Sequence, residues 1–253
     1  MPILLIASPK PKTGVSAIAA GLTRNLGINS DIKVEEAPAG APPPAPVDGR
    51  WIAVVTPDMA PDEVSSYAGT AAGVIVNHAP PKRLPIVRRT FESVNLLGIV
   101  TEDWLLASPT IGEVVAPLEA EGEYIDDNRD ALLNRPTIAS IAADPGQTYF
   151  ARLDATSVIV RSDKPDLQLA ALNAGATCLI VTGDLPILSY VLDRVAEDEI
   201  PLLRTKLDTK QAMSAIEELF GASEFKGTEK TRRIAELLAG VDVGPLFERS
   251  ATG

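Results

Sequence analysis

At 253 residues, 45% hydrophobic and 23% charged, the chain has the length and composition of a soluble globule of two α/β domains. A formal net charge of −11 repels nucleic acid and anionic membranes, so neither is expected as a partner. The single cysteine, Cys178, excludes an intramolecular disulfide framework and a cysteine-built metal cluster, and its apolar setting (TCLIVTG) predicts a buried, inert thiol. No run approaches the ~18 apolar residues of a membrane span. The first apolar run lacks the basic flank of a signal peptide, so a cytoplasmic location is expected.

In chain order, an apolar run at 3–7 predicts a strand, and an Ala-rich helix follows over 14–26. Residues 37–49 (APAGAPPPAPVDG) are too proline-rich for helix or central strand and predict an extended connection. Apolar, β-branched runs at 51–55, 73–77 and 96–100 alternate with helical spans at 61–72 and 83–93. Strands without polar alternation, separated by helices, indicate a parallel sheet covered on both faces. The acidic stretch 119–130 (EAEGEYIDDNRD) reads as a domain boundary. Beyond it the alternation resumes, with strands at 137–141, 157–160, 178–181 and 201–203. Helices are predicted at 166–173, 186–196, 208–220 and 229–238. The last, EKTRRIAELLAG, is amphipathic: Ile234, Leu237 and Leu238 form its apolar side, with Lys230, Arg232 and Arg233 facing water.

The first strand–loop–helix has the frame of a phosphate-binding loop, G-x-x-x-x-G-K-[ST], in which backbone N–H groups at a helix N-terminus face phosphates. Pro9 holds the first Gly position, Gly14 the second, Val15 the Lys position and Ser16 the Ser/Thr position. Val15 supplies no charge to the β- and γ-phosphates, and Pro9 removes a backbone donor.

The segments LLIASPKPKTGVSAIAAGL, GVIVNHAPPKRL and LLGIVTEDWLLASPTIGEVVAPL resemble the BioD-like N-terminal region of phosphotransacetylase-type proteins. That region is a dethiobiotin-synthetase-like P-loop domain followed by a DRTGG domain. The later segments VIVRSDKPDLQLAAL, CLIVTGDLPILSYVL and IPLLRTKLDTKQAMSAIEELF follow the DRTGG pattern. The fold implied is α/β, a P-loop-type parallel sheet domain and then a three-layer α/β DRTGG-like domain. The division implied is 1–118, a linker at 119–134, the second domain at 135–240 and a tail at 241–253. The departures are specific. The strand that should end in an acidic Mg²⁺ group ends instead at Thr56 and Pro57, with Asp58 displaced. The interval between the loop helix and that strand is too short for the further strands of the enzyme. The Asp-Arg motif appears as Arg161-Ser162-Asp163, and Thr-Gly-Gly as Thr182-Gly183-Asp184.

Candidate site residues fall in two sets. In the first domain, Lys10, Lys12, Thr13, Gly14 and Ser16 make the loop; the two lysines are substitute charges or solvated surface. Ser16 is a metal ligand only where Mg-nucleotide binds, and otherwise a small residue in a packed helical turn. Asn77 either reads a base edge, as the resemblance implies, or closes a strand before a turn. His78 has no second metal ligand and no nucleophile partner. In the second domain, Arg161, Asp163 and Asp166 share one loop, Thr182, Gly183 and Asp184 the next, and Asp208 and Thr209 a third. Ligands bind outside the carboxyl ends of strands in open α/β sheets, so these loops can form one polar pocket or a dimer seam. Helix capping by Asp163, Asp184 and Asp208 explains each residue individually.

No catalytic residue set can be assembled, and the residues lean against an enzyme. Three functions compete. The first is a non-catalytic regulatory or interaction protein, a homodimer through the DRTGG-like domain that senses a metabolite or nucleotide and works with a partner such as a separate metabolic enzyme. The second is an ATP- or ADP-binding module without turnover, Mg-ATP or Mg-ADP being the cofactor such a loop would hold. The third is an ATP-dependent ligase of the dethiobiotin-synthetase class. Acetyl transfer is not expected, because the catalytic domain that follows this region in phosphotransacetylases is not in the sequence.

Overall fold

A computed structural model describes residues 2–27, 30–38, 40–42, 50–139, 157–241, 243 and 246. The expected prolines at 43–49, the end of the strand expected at 137–141 and most of the expected tail lie outside the described residues. The chain divides into two compact units. The first takes residues up to Leu106 together with those from Phe225 onward; the second is Ala107–Glu224.

In the first unit β1 (Ile3–Ala7), β2 (Lys33–Glu36), β3 (Arg50–Val55), β4 (Gly73–Ala79) and β5 (Leu96–Thr101) form a five-stranded sheet of order 2-1-3-4-5. Every pairing is parallel. Alternate residues of the strands point to opposite faces, so each strand feeds two cores. Leu4, Ile6, Ile52, Val54 and Ile75 pack under α1 (Val15–Leu26) with its Ile18 and Leu22. Ala7, Trp51, Ala53, Val55, Val74 and Val76 pack on the other face, beneath α2 (Pro61–Tyr67) and α3 (Leu84–Thr90) through Val64, Tyr67 and Val87. The Trp51 and Tyr67 rings meet edge to face at 5.6 Å.

Two departures from expectation concern this unit. The interval after α1 does contain a strand, β2, whose backbone pairs with β1 from Ile3↔Lys33 to Ile6↔Glu36. The C-terminal helix α9 (Thr228–Leu237) also belongs here, not to the second domain. Ile234 and Leu238 lie so close to Gly21 of α1 that a Cβ there would meet Leu238 Cδ1 at 2.7 Å. Lys230, expected on the wet face, is fully buried, and Arg233 pairs with Asp103 at 2.7 Å, which raises its pKa.

After the short helix α4 (Trp104–Ala107), the second unit opens with α5 (Ile111–Val115), held by a reciprocal Thr110–Glu113 capping box. Its sheet has order 6-10-9-8-7: β7 (Pro136–Ile138), β8 (Ser157–Arg161), β9 (Cys178–Thr182) and β10 (Leu202–Thr205) are parallel, and β6 (Glu121–Glu123) pairs antiparallel with β10. Val158, Val160, Leu179, Val181 and Leu202 face α6 (Pro165–Asn173) and α7 (Ser189–Glu197). Ile159, Cys178, Ile180 and Leu203 face α5 and α8 (Thr209–Glu217). The unit is thus a three-layer α/β sandwich. The acidic stretch expected as a linker lies inside it, as β6 and a 3₁₀ turn at Asp126–Asn128. Among the described residues no helix is long and apolar enough to cross a membrane.

Candidate functional site

The loop between β1 and α1 is closed by its own neighbours. Gly14 precedes α1 in the left-handed region (φ 82°, ψ 28°), where glycine carries no side-chain penalty. Buried Asn77, at the carboxyl end of β4, donates its amide N–H to the Thr13 carbonyl at 2.9 Å. That amide nitrogen lies only 2.2 Å from where a Gly14 Cβ would stand. The side chain expected to read a base is therefore bonded to the loop backbone. The charges are also engaged. Lys10 Nζ pairs with Glu63 at 3.1 Å, and the Ser16 hydroxyl donates to the Glu36 carboxylate at 2.6 Å. A carboxylate on the Ser16 hydroxyl stands where the motif would bring phosphate or Mg²⁺, and it repels the former. Lys12 is exposed with φ 59°. Asp58 is exposed, and hydrogen bonding from Thr56 and its own backbone, with Lys10 nearby, lowers its pKa. His78 is solvent-exposed, yet partial desolvation lowers its pKa against the opposing pull of Glu102.

The second unit is built differently. The loops after β8, β9 and β10 surround a cavity of about 610 Å³ lined by Arg161, Ser162, Asp163, Thr182, Gly183, Leu185, Asp208, Thr209 and Lys210. Backbone bonds tie these strand ends together: Ser162 N–H donates to Thr182 O at 2.8 Å, and Gly183 N–H to Thr205 O at 3.0 Å. Gly183 turns the chain at φ 98°, and a Cβ there would meet the Ser162 hydroxyl at 2.9 Å. The Thr182 and Thr209 hydroxyls share a hydrogen bond of 2.9 Å across the floor. Arg161 pairs with Asp163 at 2.6 Å; both are partly solvated, so the pair is weak and exchangeable. Below it, buried Gln168 donates to the Arg161 and Ser162 carbonyls at 2.9 and 3.4 Å and fixes that loop. The opening of α8 completes the wall. Asp208 caps it reciprocally with Gln211, and the partial positive end of the helix faces the cavity beside Lys210.

Six of the eight residues singled out from the sequence in this domain therefore line one cavity: Arg161, Asp163, Thr182, Gly183, Asp208 and Thr209. Asp166 and Asp184 are exposed and do not line it. The capping explanation holds for Asp208 alone. Lys164 and Leu188 precede α6 and α7, neither helix has a side-chain cap, and α7 begins at Ser189, after Asp184 and Pro186. Ser162, Leu185 and Lys210 were missed, although Ser162 and Lys210 adjoin chosen residues in the sequence. Glu36 and Glu63, which occupy the first loop's polar groups, carry no local signal. Among the described residues no group of three or more His, Cys, Asp or Glu can hold a metal ion. Cys178 is buried, and desolvation pushes its thiol up to about 12.

Residues 113–219 match the DRTGG domain family, a stretch that spans β6 to α8 and includes every residue lining the cavity. The second unit thus carries a DRTGG domain. A structure of the CBS and DRTGG domains of the regulatory region of Clostridium perfringens pyrophosphatase, complexed with the activator diadenosine tetraphosphate, matches at 14% identity. It covers 68% of this chain and 74% of that one, with a TM-score of 0.40. A putative aspartate carbamoyltransferase from Trypanosoma cruzi matches at 10% identity over 95% of this chain and 81% of its own, with a TM-score of 0.23.

Proposed function

We propose that this chain is a non-catalytic regulatory protein, related to the N-terminal region of phosphotransacetylase-type proteins, that senses a small anionic metabolite or nucleotide through its DRTGG domain. The observation that carries this reading is the 610 Å³ cavity, which is of the size that holds small-molecule ligands. Its positive elements are the Arg161 guanidinium, Lys210 and the N-terminal end of α8. Its negative ones are already engaged, Asp163 by Arg161 and Asp208 by the helix N–H it caps. A phosphate or carboxylate entering there would exchange Asp163 for itself on Arg161 and gain charge-assisted bonds. The Thr182 and Thr209 hydroxyls offer either donors or acceptors to the rest of the ligand. The first unit serves as scaffold, because Glu36 and Glu63 compete with phosphate for the groups its loop retains. Homodimerisation through the DRTGG domain, and a separate metabolic enzyme as partner, belong to the same reading.

Calorimetric titration of ADP, ATP and inorganic phosphate, each with and without Mg²⁺, tests it. One site should appear, with Lys210→Ala and Arg161→Ala each weakening it about tenfold or more, the scale of one charge-assisted hydrogen bond. Ser16→Ala should leave it unchanged. Silence at millimolar concentrations of all three would sink the ligand class. A site lost in Ser16→Ala and kept in Lys210→Ala would transfer binding to the first unit, as a nucleotide module without turnover. ATP hydrolysis or ligation by the purified chain would overturn the non-catalytic reading. Sedimentation with and without the bound ligand reads the dimer.

A further inference from the structure

The chain is strongly acidic, and several of its surface arginines and lysines have acidic partners: Lys33 with Glu35, Arg129 with Asp126, Arg194 with Glu197 and Asp198, Arg232 with Glu236. The segment 81–90 gathers four cations in ten residues. Lys82, Arg83, Arg88 and Arg89 are all exposed, no acidic residue interrupts them, and none makes an ion pair or side-chain hydrogen bond among the described residues. Between them stands Ile86, 64% exposed and the most exposed large apolar side chain of the described chain. Ile86 and Arg89 stand at i and i+3 on α3, the spacing of one helical face, and Lys82 lies in the 3₁₀ turn just before it. The opposite face is anchored, with Val87 and Phe91 buried against the sheet.

The fold itself does not account for this arrangement. Arg88 and Arg89 sit in the last turn of α3, where cations complement the helix dipole. Lys82 and Arg83 precede its first residue, where they oppose it. Four uncompensated cations close together also repel one another, and burial of Ile86 would gain free energy that the isolated chain forgoes.

We propose that the 82–89 face is a docking surface for an acidic segment of a partner protein that carries an apolar side chain to cover Ile86. Charge complementarity selects the partner, since these four exposed cations attract an acidic segment on a chain whose net charge of −11 otherwise repels it. A protein segment fits better than nucleic acid on two grounds. The patch is a 3₁₀ turn and one short helix about 10 Å long, while the rest of the chain's charge repels an extended polyanion. The centre of the patch is an aliphatic side chain, which a phosphate backbone does not use. The surface lies on the first unit, so this inference is independent of the cavity and its ligand.

The test uses the full chain and three fluorescein-labelled probes: a short helical Glu-rich peptide with one central Leu, the same peptide with Ala in its place, and an oligothymidylate. Anisotropy is read at about 50 and about 200 mM salt, where screening separates surface charge pairing from apolar contact. The Leu peptide should bind more tightly than the Ala peptide, and both should weaken as salt rises. Lys82→Glu with Arg83→Glu should weaken both peptides at least about tenfold. Ile86→Ser, which keeps every charge, should abolish only the advantage of Leu over Ala. Circular dichroism identifies any variant that has unfolded, and Arg88→Gln with Arg89→Gln stands in if the double Glu variant does. Binding of either peptide that is indifferent to these variants, or no binding by the wild type, overturns the proposal. Tighter binding of oligothymidylate overturns it in favour of nucleic acid. Salt-sensitive self-association lost in the charge variants overturns it in favour of a second copy of the chain.

Discussion

Each unit places a positive-φ glycine in a loop that follows a parallel strand, Gly14 at the start of α1 and Gly183 directly after β9, and the two have opposite surroundings. In the first, Gly14 is pressed by the Asn77 amide, and the Ser16 hydroxyl is taken by Glu36. In the second, Gly183 is touched by the small Ser162 hydroxyl, and the loops beyond it leave 610 Å³ open. The lesson is that a parallel sheet supplies the place for a site, while the side chains of neighbouring strand ends decide whether it stays empty enough to use.

Substituting the two glycines should break or sharpen that contrast most. Gly14→Ala places a side chain in the left-handed region and against a buried amide, and should cost about 3 kcal/mol. Gly183→Ala meets a hydroxyl that can turn aside and should cost about half of that. Hydrogen exchange, read separately in each unit, reports both. Adding Asn77→Ala to Gly14→Ala should recover part of the loss; a strictly additive pair would mean that Asn77 does not press on the glycine.

Asn77→Ala alone comes next. It leaves the Thr13 carbonyl without its buried donor and should destabilise the first unit by about 1–3 kcal/mol. Helix starts separate the units more gently. Asp208→Ala removes a reciprocal cap and should cost about 1 kcal/mol, whereas Ser16→Ala, at an exposed hydroxyl, should stay within about 0.5. Equal costs by denaturant titration would remove the distinction between a built helix start and an incidental contact.

The smallest effect at neutral pH belongs to Cys178. The fold favours its neutral thiol, so this group is silent below the ordinary thiol pKa and costs stability as pH rises from there toward about 12. At pH 8 the buried thiol is thus essentially neutral in the folded chain. A thiol reagent should therefore modify the native chain very slowly and the denatured chain fast. Rapid native modification at pH 8 would show that the second unit's core opens.

Much of the architecture was legible because fully buried strands announce themselves. The runs at 51–55, 73–77 and 178–181 contain no polar alternation, since both faces of a central parallel strand are covered. β2 escaped notice because KVEE is polar and lies at the sheet edge; it is a strand only through its pairing with β1. The acidic 119–130 stretch looked like a linker for the same reason. Gly122 stands opposite Leu203, where a Cβ would meet the Leu202 carbonyl at 1.8 Å, and nothing local in the sequence states that approach.

The sites divide along the same line. Residue types at strand ends, in the order Arg161, Thr182, Asp208, were enough to mark one polar cluster, because parallel strands deliver their following loops to one edge of the sheet. Sequence by itself therefore determined the α/β alternation, the buried central strands and which edge collects the polar loops, since these follow from periodicity and chain direction. Only the tertiary structure decided that Asn77 bonds the Thr13 carbonyl, that Glu36 takes the Ser16 hydroxyl, and that α9 returns to pack on Gly21. Those outcomes depend on contacts between residues from 20 to more than two hundred positions apart, which no local pattern encodes.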